Sequence, residues 1–358
     1  MHIPDGYLSP ATCAVLYGGS APFWYVALRR LKRALHTQMV PLLSLFAAFS
    51  FIVMMFNLPL PGGTTGHAVG VGIAAIVLGP WASIIAISIA LVIQAVFFGD
   101  GGITAIGANC FNMAIVGSLA AWAVYRLISG RAAIDSPRRV VAGALAGYFA
   151  INLSALVAAI EFGIQPLLYR DASGTPLYAP YPLHITIPAM MIGHLTVAGL
   201  AELVLTAGVV AYLQRAEPGL LKGTAPGAPA HAGERRGPAR SGWRATRPLW
   251  IALAALMVLT PLGILAVGSA WGEWTPAEYA NAASRQQMTA AAGGQAPPAY
   301  APAGLRHLAS IWTAPMPRYA PPFLQSPTFG YLLSAVAGTG LILLVFLLAG
   351  WFTNRRAE

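Results

Sequence analysis

The chain begins Met1-His2-Ile3-Pro4-Asp5-Gly6, and its first two residues carry three nitrogens that one ion can take together. A free terminal amine, the amide nitrogen of His2 and the His2 imidazole close a five-membered and then a six-membered chelate ring. Four nitrogens in a plane suit Ni(II) or Cu(II), whereas hard ions want oxygen and structural zinc prefers a tetrahedron of thiolate or imidazole. A fourth nitrogen is wanted near the same mouth. Among the remaining histidines, His67 ends the Gly- and Pro-rich stretch "NLPLPGGTTGH" (Asn57 to His67) and is the candidate. Taken singly, a histidine at position 2 reads as an exposed, inert residue, and a lone histidine beside an apolar segment as a satisfied core residue. The assignment rests on three features together: a terminus that keeps its amine, a helix too short to span, and a loop presenting an imidazole.

The amine is expected to survive on two grounds. A signal peptide needs a basic start, an apolar stretch and a small-residue cleavage site, but here an acidic turn comes first and "RRLKR" follows the first apolar run. Removal of an initiator Met requires a small second residue, and His2 is not small.

The elements that must position these residues lie in a bilayer. Of the 358 residues, 57% are hydrophobic and only 9% charged, far from the quarter or so typical of soluble chains. The two cysteines, Cys13 and Cys110, each sit in an apolar run and read as buried small hydrophobes rather than a disulfide or thiolate site. Apolar stretches long enough to cross lie at about 8–28, 38–57, 81–98, 107–128, 139–160, 185–213, 249–270 and 329–352. A ninth, His67 to Leu78, is cut short by Gly79-Pro80 and cannot cross alone. The irregular stretch before it is expected to dip into the membrane and supply the missing depth, satisfied there by protein or a polar cavity. "FGDGGITAIGAN" (Phe98 to Asn109) forms the opposite wall by the same logic. The reading is an all-α, polytopic helical bundle, about seven helices followed by two.

The net charge of +10 would suit nucleic acid, but its placement decides otherwise. Nine crossings with alternating loops put 17 of the 21 basic residues on one side, leaving Arg170, Arg285, Arg306 and Arg318 on the other. By the positive-inside rule the N-terminus is outside and the C-terminus cytoplasmic. No nucleic acid is needed to explain the charge.

Three stretches then carry a likeness. "MHIPDGYLSP", "PLPGGTTGHAVG" (Pro59 to Gly70) and "FGDGGITAIGANCFNM" (Phe98 to Met113) resemble the signature segments of the substrate-capturing membrane subunit of energy-coupling-factor nickel and cobalt transporters, the CbiM/NikM family. The resemblance covers about residues 1–215. It implies a metal bound by the N-terminal amine, the backbone nitrogen and imidazole of residue 2, and a loop histidine, which map onto Met1, His2 and His67. Asn109 and Asn112 match the third stretch and are candidates for orienting the ligands, or for capping a helix end or bonding two helices. The resemblance also implies partners: a transmembrane coupling (T) subunit and cytoplasmic ATPase subunits, in a cell inner (plasma) membrane.

Residues 216–248 shift to Pro, Gly, Ala and Arg, the composition of a flexible cytoplasmic linker, with His231 within it. Residues 249–358 hold two spans and an outside loop; "PLGILAVGSAWGEW" (Pro261 to Trp274) and "FGYLLSAVAGTG" (Phe329 to Gly340) resemble the accessory NikN or PDGLE-type segment of the same transporters. His307 on that loop reads as a surface histidine or a metal relay. His184, His194 and Glu202 lie on or beside one span; Glu202 is a functional candidate as an intramembrane charge, or a cap. "GALAG" (Gly143 to Gly147) has small residues four apart, suited to close helix contact.

Two functions fit: a capture subunit for Ni(II) or Co(II) as transported substrate with no bound organic cofactor, or an intramembrane metalloenzyme using the same ligands. No HExxH occurs in the chain, and a site filling four planar positions leaves none open for catalysis. No G-x-x-x-x-G-K-[ST] loop occurs either, so energy from ATP must come from a partner. Transport is the expectation, and an enzyme is not.

Overall fold

The computed structural model describes residues 1–34, 39–223 and 243–354. The middle of the linker with His231, and Arg355 and Arg356, lie outside the described residues. Helices α1 (Pro10–Ala34) and α2 (Met39–Met54) come first, then an antiparallel hairpin of β1 (Leu58–Leu60) and β2 (Thr64–Gly66), then the short α3 (Val71–Leu78). Helices α4 (Pro80–Phe98), α5 (Ile106–Ser129), α6 (Pro137–Leu168) and α7 (Leu183–Ala216) follow. After a single turn at Gly219–Lys222, α8 (Trp243–Leu259) and α9 (Pro327–Asn354) form a pair. The segment joining that pair carries three short helices, Pro276–Ala280, Ala282–Ala291 and Ala303–Leu308. The all-α bundle is borne out, the hairpin being the only sheet among the described residues.

Six helices among the described residues are long and apolar enough to cross a membrane: α4 to α7, Thr246–Leu265 and Pro327–Phe352. The chain is a multi-pass membrane protein. Eight full crossings are expected from the sequence, and the two that differ are α1 and α2. Helix α1 has the length, at 25 residues, but Gly18, Gly19, Ser20 and its Tyr and Trp residues dilute its apolarity. Helix α2 is apolar but stops after 16 residues, where the chain turns into the hairpin.

Local chemistry sets the boundaries that matter for the site. Gly79, at φ 79°, breaks α3 from α4, and Pro80 opens α4 at a position whose N–H has no helical partner anyway. Helix α6 starts with Pro137 behind Ser136, whose side chain accepts from the Arg138 N–H. The hairpin turn uses Gly62 and Gly63 at φ 83° and 76°, a region costly for side chains with a Cβ.

Short α3 is buried among α4, α5 and α6. A Cβ on Gly147 would come 2.5 Å from the Thr206 hydroxyl, and one on Gly72 would come 2.8 Å from the Gly147 Cα. The small residues of "GALAG" thus let α3, α6 and α7 converge. Helix α3 has no side-chain cap of its own. Glu202, fully buried in α7, supplies it: Oε2 accepts from the N–H groups of Val69 and Gly70, both at 2.8 Å, and Oε1 from Gly72 at 3.1 Å. Capping is the reading of Glu202 that the geometry bears out. Main chain at this depth has no water to bond, so each of these N–H groups would otherwise cost about 1–3 kcal/mol.

Candidate metal centre

The N-terminal residues are drawn inward and pinned. Asn109 accepts from the Ile3 N–H through Oδ1 (2.8 Å) and donates through Nδ2 to the Ile3 carbonyl (3.1 Å), which also accepts from the Gly102 N–H (2.8 Å). Asp5 accepts from the Thr104 N–H and hydroxyl and from the Ile103 N–H. A Cβ on Gly102 would overlap the Asp5 main chain, so "GDGG" is the sequence that lets the two stretches touch.

That pinning sets two buried rings against each other. The His2 ring is 1% exposed and the His67 ring 4%. His67 Nδ1 lies 3.0 Å from the Ala68 carbonyl, which can only accept, so Nδ1 carries the proton and Nε2 is a free lone pair. His2 Nε2 lies 3.3 Å from Gln94 Oε1, and its Nδ1 lies 3.1 Å from Asp100 Oδ1 and 3.2 Å from His67 Nε2. Both His2 nitrogens thus face acceptors, and a proton or a cation at Nδ1 is what makes the contact attractive. Burial, and then the neighbouring His2, hold His67 well below the usual histidine range, which favours the neutral ligand form.

Metal–nitrogen bonds of about 2.0 Å place neighbouring nitrogens of a planar set about 2.8 Å apart, so the observed separation needs only a small closure. Among the described residues no three His, Cys, Asp or Glu side chains form a metal cage by themselves. The terminal amine and the main chain offer the further donors an ion here would take. The Met1 amine is buried beside the rings and donates to Glu273 Oε1 at 3.0 Å.

The segment between α8 and α9 closes the mouth. Beyond Glu273, Tyr319 donates to Asp100 Oδ2 (2.5 Å), and the Tyr7 hydroxyl donates to the Trp274 carbonyl (2.7 Å). A cavity of about 410 Å³ remains, lined by His67, Asp100, Glu273, Arg318 and Tyr319 among others. Arg318 leans on Glu278 at 3.7 Å.

Met1, His2, His67 and Asn109 are thus brought together. Asn112 lies on the next turn and donates to Glu161 at 2.7 Å, making no hydrogen bond to the N-terminal segment. His194 is buried, its Nδ1 on the Met190 carbonyl at 2.8 Å and its Nε2 without a partner among the described residues. His184 and His307 are exposed. Gln94, Asp100, Glu273 and Tyr319 are residues of the centre that sequence reasoning missed. A lone glutamine in an otherwise apolar helix was the available signal for Gln94.

Residues 2–220 match the family described as cobalt uptake substrate-specific transmembrane region, and residues 246–355 match the PDGLE domain. The chain belongs to the cobalt uptake substrate-specific transmembrane family. The resemblance read from the three motifs, and from the C-terminal pair of spans, is borne out. Within this family the chain is 57% identical over 342 residues to the fused nickel transport protein NikMN of Rhodobacter capsulatus, covering 96% of this chain and 95% of that one. It is 43% identical over 348 residues to the probable fused nickel transport protein LarMN of Lactiplantibacillus plantarum, with 96% of each covered. A crystal structure of a truncated transition metal transporter aligns with TM-score 0.56 at 50% identity, covering 60% of this chain and 98% of its own.

Proposed function

We propose that this chain is the substrate-capturing membrane subunit of an ATP-driven energy-coupling-factor importer for Ni(II) or Co(II). The ion is held by the Met1 amine, the His2 amide nitrogen, His2 Nδ1 and His67 Nε2. One observation carries the reading: His2 Nδ1 and His67 Nε2, two buried ring nitrogens whose ring partners each contact an oxygen, stand 3.2 Å apart beside the Met1 amine. The relatives named as nickel transport proteins support the cargo, and the cavity lined by Asp100 and Glu273 offers a hydrated cation an approach from the outer face.

Residues 1–215 form the metal-binding unit on this reading, 216–248 a linker and 249–358 an accessory unit. A separate transmembrane coupling subunit and cytoplasmic ATPases supply the energy, since the chain carries no phosphate-binding loop of its own. Four nitrogens in a plane lean the assignment towards Ni(II). The test is the metal content of protein purified from cells grown with both ions: equimolar nickel supports the proposal, and protein devoid of both metals sinks it.

A further inference from the structure

Tyr319 occupies a conformation that a tyrosine does not adopt without help. Its φ is 60° and that of Arg318 before it is 53°, two successive non-glycine residues in the left-handed region that side chains with a Cβ rarely adopt. The surroundings hold it there. Its ring stacks on Phe98 with centroids 5.0 Å apart and planes 24° from parallel, Phe51 and Tyr331 pack against it, and its carbonyl accepts from the Ser334 hydroxyl at 3.0 Å.

What the contorted backbone delivers is a hydroxyl. Tyr319 donates to Asp100 Oδ2 and accepts from Gln94 Nε2 at 2.9 Å, while Gln94 Nε2 also reaches Asp100 Oδ2 at 3.4 Å. A glutamine amide has one donating end and one accepting end. With Nε2 committed to Tyr319 and Asp100, Oε1 is the end left to face His2 Nε2. Turned over, the amide would offer N–H to that nitrogen and drive the ring proton to Nδ1, the atom an ion needs.

We propose that Tyr319, from the C-terminal unit, is a positioning residue of the metal centre: its hydroxyl locks the Gln94 amide in the orientation that accepts the His2 Nε2 proton, so that Nδ1, facing Asp100 and His67, is the nitrogen an ion takes. The proposal rests on the reading of His2 and His67 as ligands. Through this contact the unit after the linker governs whether the unit before it can bind.

The experiment uses full-length protein in detergent, with Tyr319→Phe to remove only the hydroxyl and Tyr331→Phe as a matched deletion in the same aromatic cluster. Ring-nitrogen NMR of the metal-free protein reports the His2 tautomer, nickel titration reports affinity, and thermal unfolding reports the fold. In Tyr319→Phe the Nε2-protonated form of His2 gives way to a mixture and nickel affinity falls about tenfold or more, with unfolding unchanged; Tyr331→Phe behaves as wild type. Gln94→Glu provides a second arm. Its oxygens have no amide to turn over, so in that background Tyr319→Phe becomes harmless. A wild-type tautomer with nickel affinity within twofold in Tyr319→Phe overturns the proposal, as does an equal loss from Tyr331→Phe or the absence of rescue in Gln94→Glu. Unchanged nickel binding in His67→Ala would instead overturn the ligand reading itself, whatever Tyr319→Phe does.

Discussion

His2 Nδ1 and His67 Nε2 face each other across 3.2 Å, and each belongs to a ring whose other nitrogen is engaged by an oxygen. Asp100 Oδ1 lies 3.1 Å from the same His2 nitrogen, so a proton or a cation at that point holds all three groups together. The proposal of an ion there has consequences that are open to measurement.

His67→Ala removes a proposed ligand from the irregular stretch between β2 and α3 and leaves the main-chain bonds of Val69 and Gly70 to Glu202 in place. Bound nickel is expected to fall to background while the unfolding temperature in detergent stays near that of the wild type. Metal content and unfolding are read on the same sample, and full occupancy in the variant would remove His67 from the site.

Glu202→Gln keeps the shape of the α3 cap but leaves one accepting oxygen where two served three N–H groups. At least one buried N–H is stranded, at about 1–3 kcal/mol. The variant should unfold several degrees lower and hold nickel more weakly, because the main chain from His67 to Gly70 loses its anchor. Equal unfolding temperature and equal affinity would show that the cap is not needed.

Acid should destabilise the fold through His67, which resists a proton that the same histidine in the unfolded chain accepts. Burial lowers the folded value, so the unfolded state binds the proton more readily, and stability falls as pH drops below about 6.5. Above that pH the contribution vanishes. Unfolding of the metal-free protein between pH 5 and 8 should show this slope in the wild type and a shallower one in His67→Ala; identical slopes would refute it.

Spacing at the terminus is the fourth lever. An alanine inserted between Met1 and His2 recreates an amine, two amides and a third-position histidine, a set that fills a plane without His67. That variant should still bind Ni(II) or Cu(II) yet transport poorly, its loop no longer tied to the ion. Acetylating the amine should lower affinity and transport together. Titration and uptake on the three forms decide, and an acetylated protein that binds and transports normally would end the role of Met1.

What was legible in the chain follows from what local pattern can record. His2 and His67 stood out because a chelate needs fixed spacing and an irregular loop needs glycine, and both leave marks in short stretches. Asn109, which holds Ile3 by both ends of its amide, was legible as a polar residue in a matched motif, though which atoms it would grip was not. Asp100 read as one residue of a Gly-rich turn, because nothing nearby in sequence says that the turn closes over His2. Glu273 and Tyr319 were invisible for a stronger reason: their partners lie more than two hundred residues away, and tertiary contacts across a linker leave no periodicity. Helix α1 has the length of a span, but its small and aromatic residues make it less apolar than that length suggests.

The ion pair between Met1 and Glu273 joins residues 272 positions apart. At ordinary synthesis rates of about 5–20 residues per second, roughly 14–54 s separate the emergence of the two. The terminus proposed to chelate is thus made first, and its carboxylate partner follows late. A nascent or prematurely ended chain presents its amine and imidazole without the Glu273 carboxylate that engages the amine.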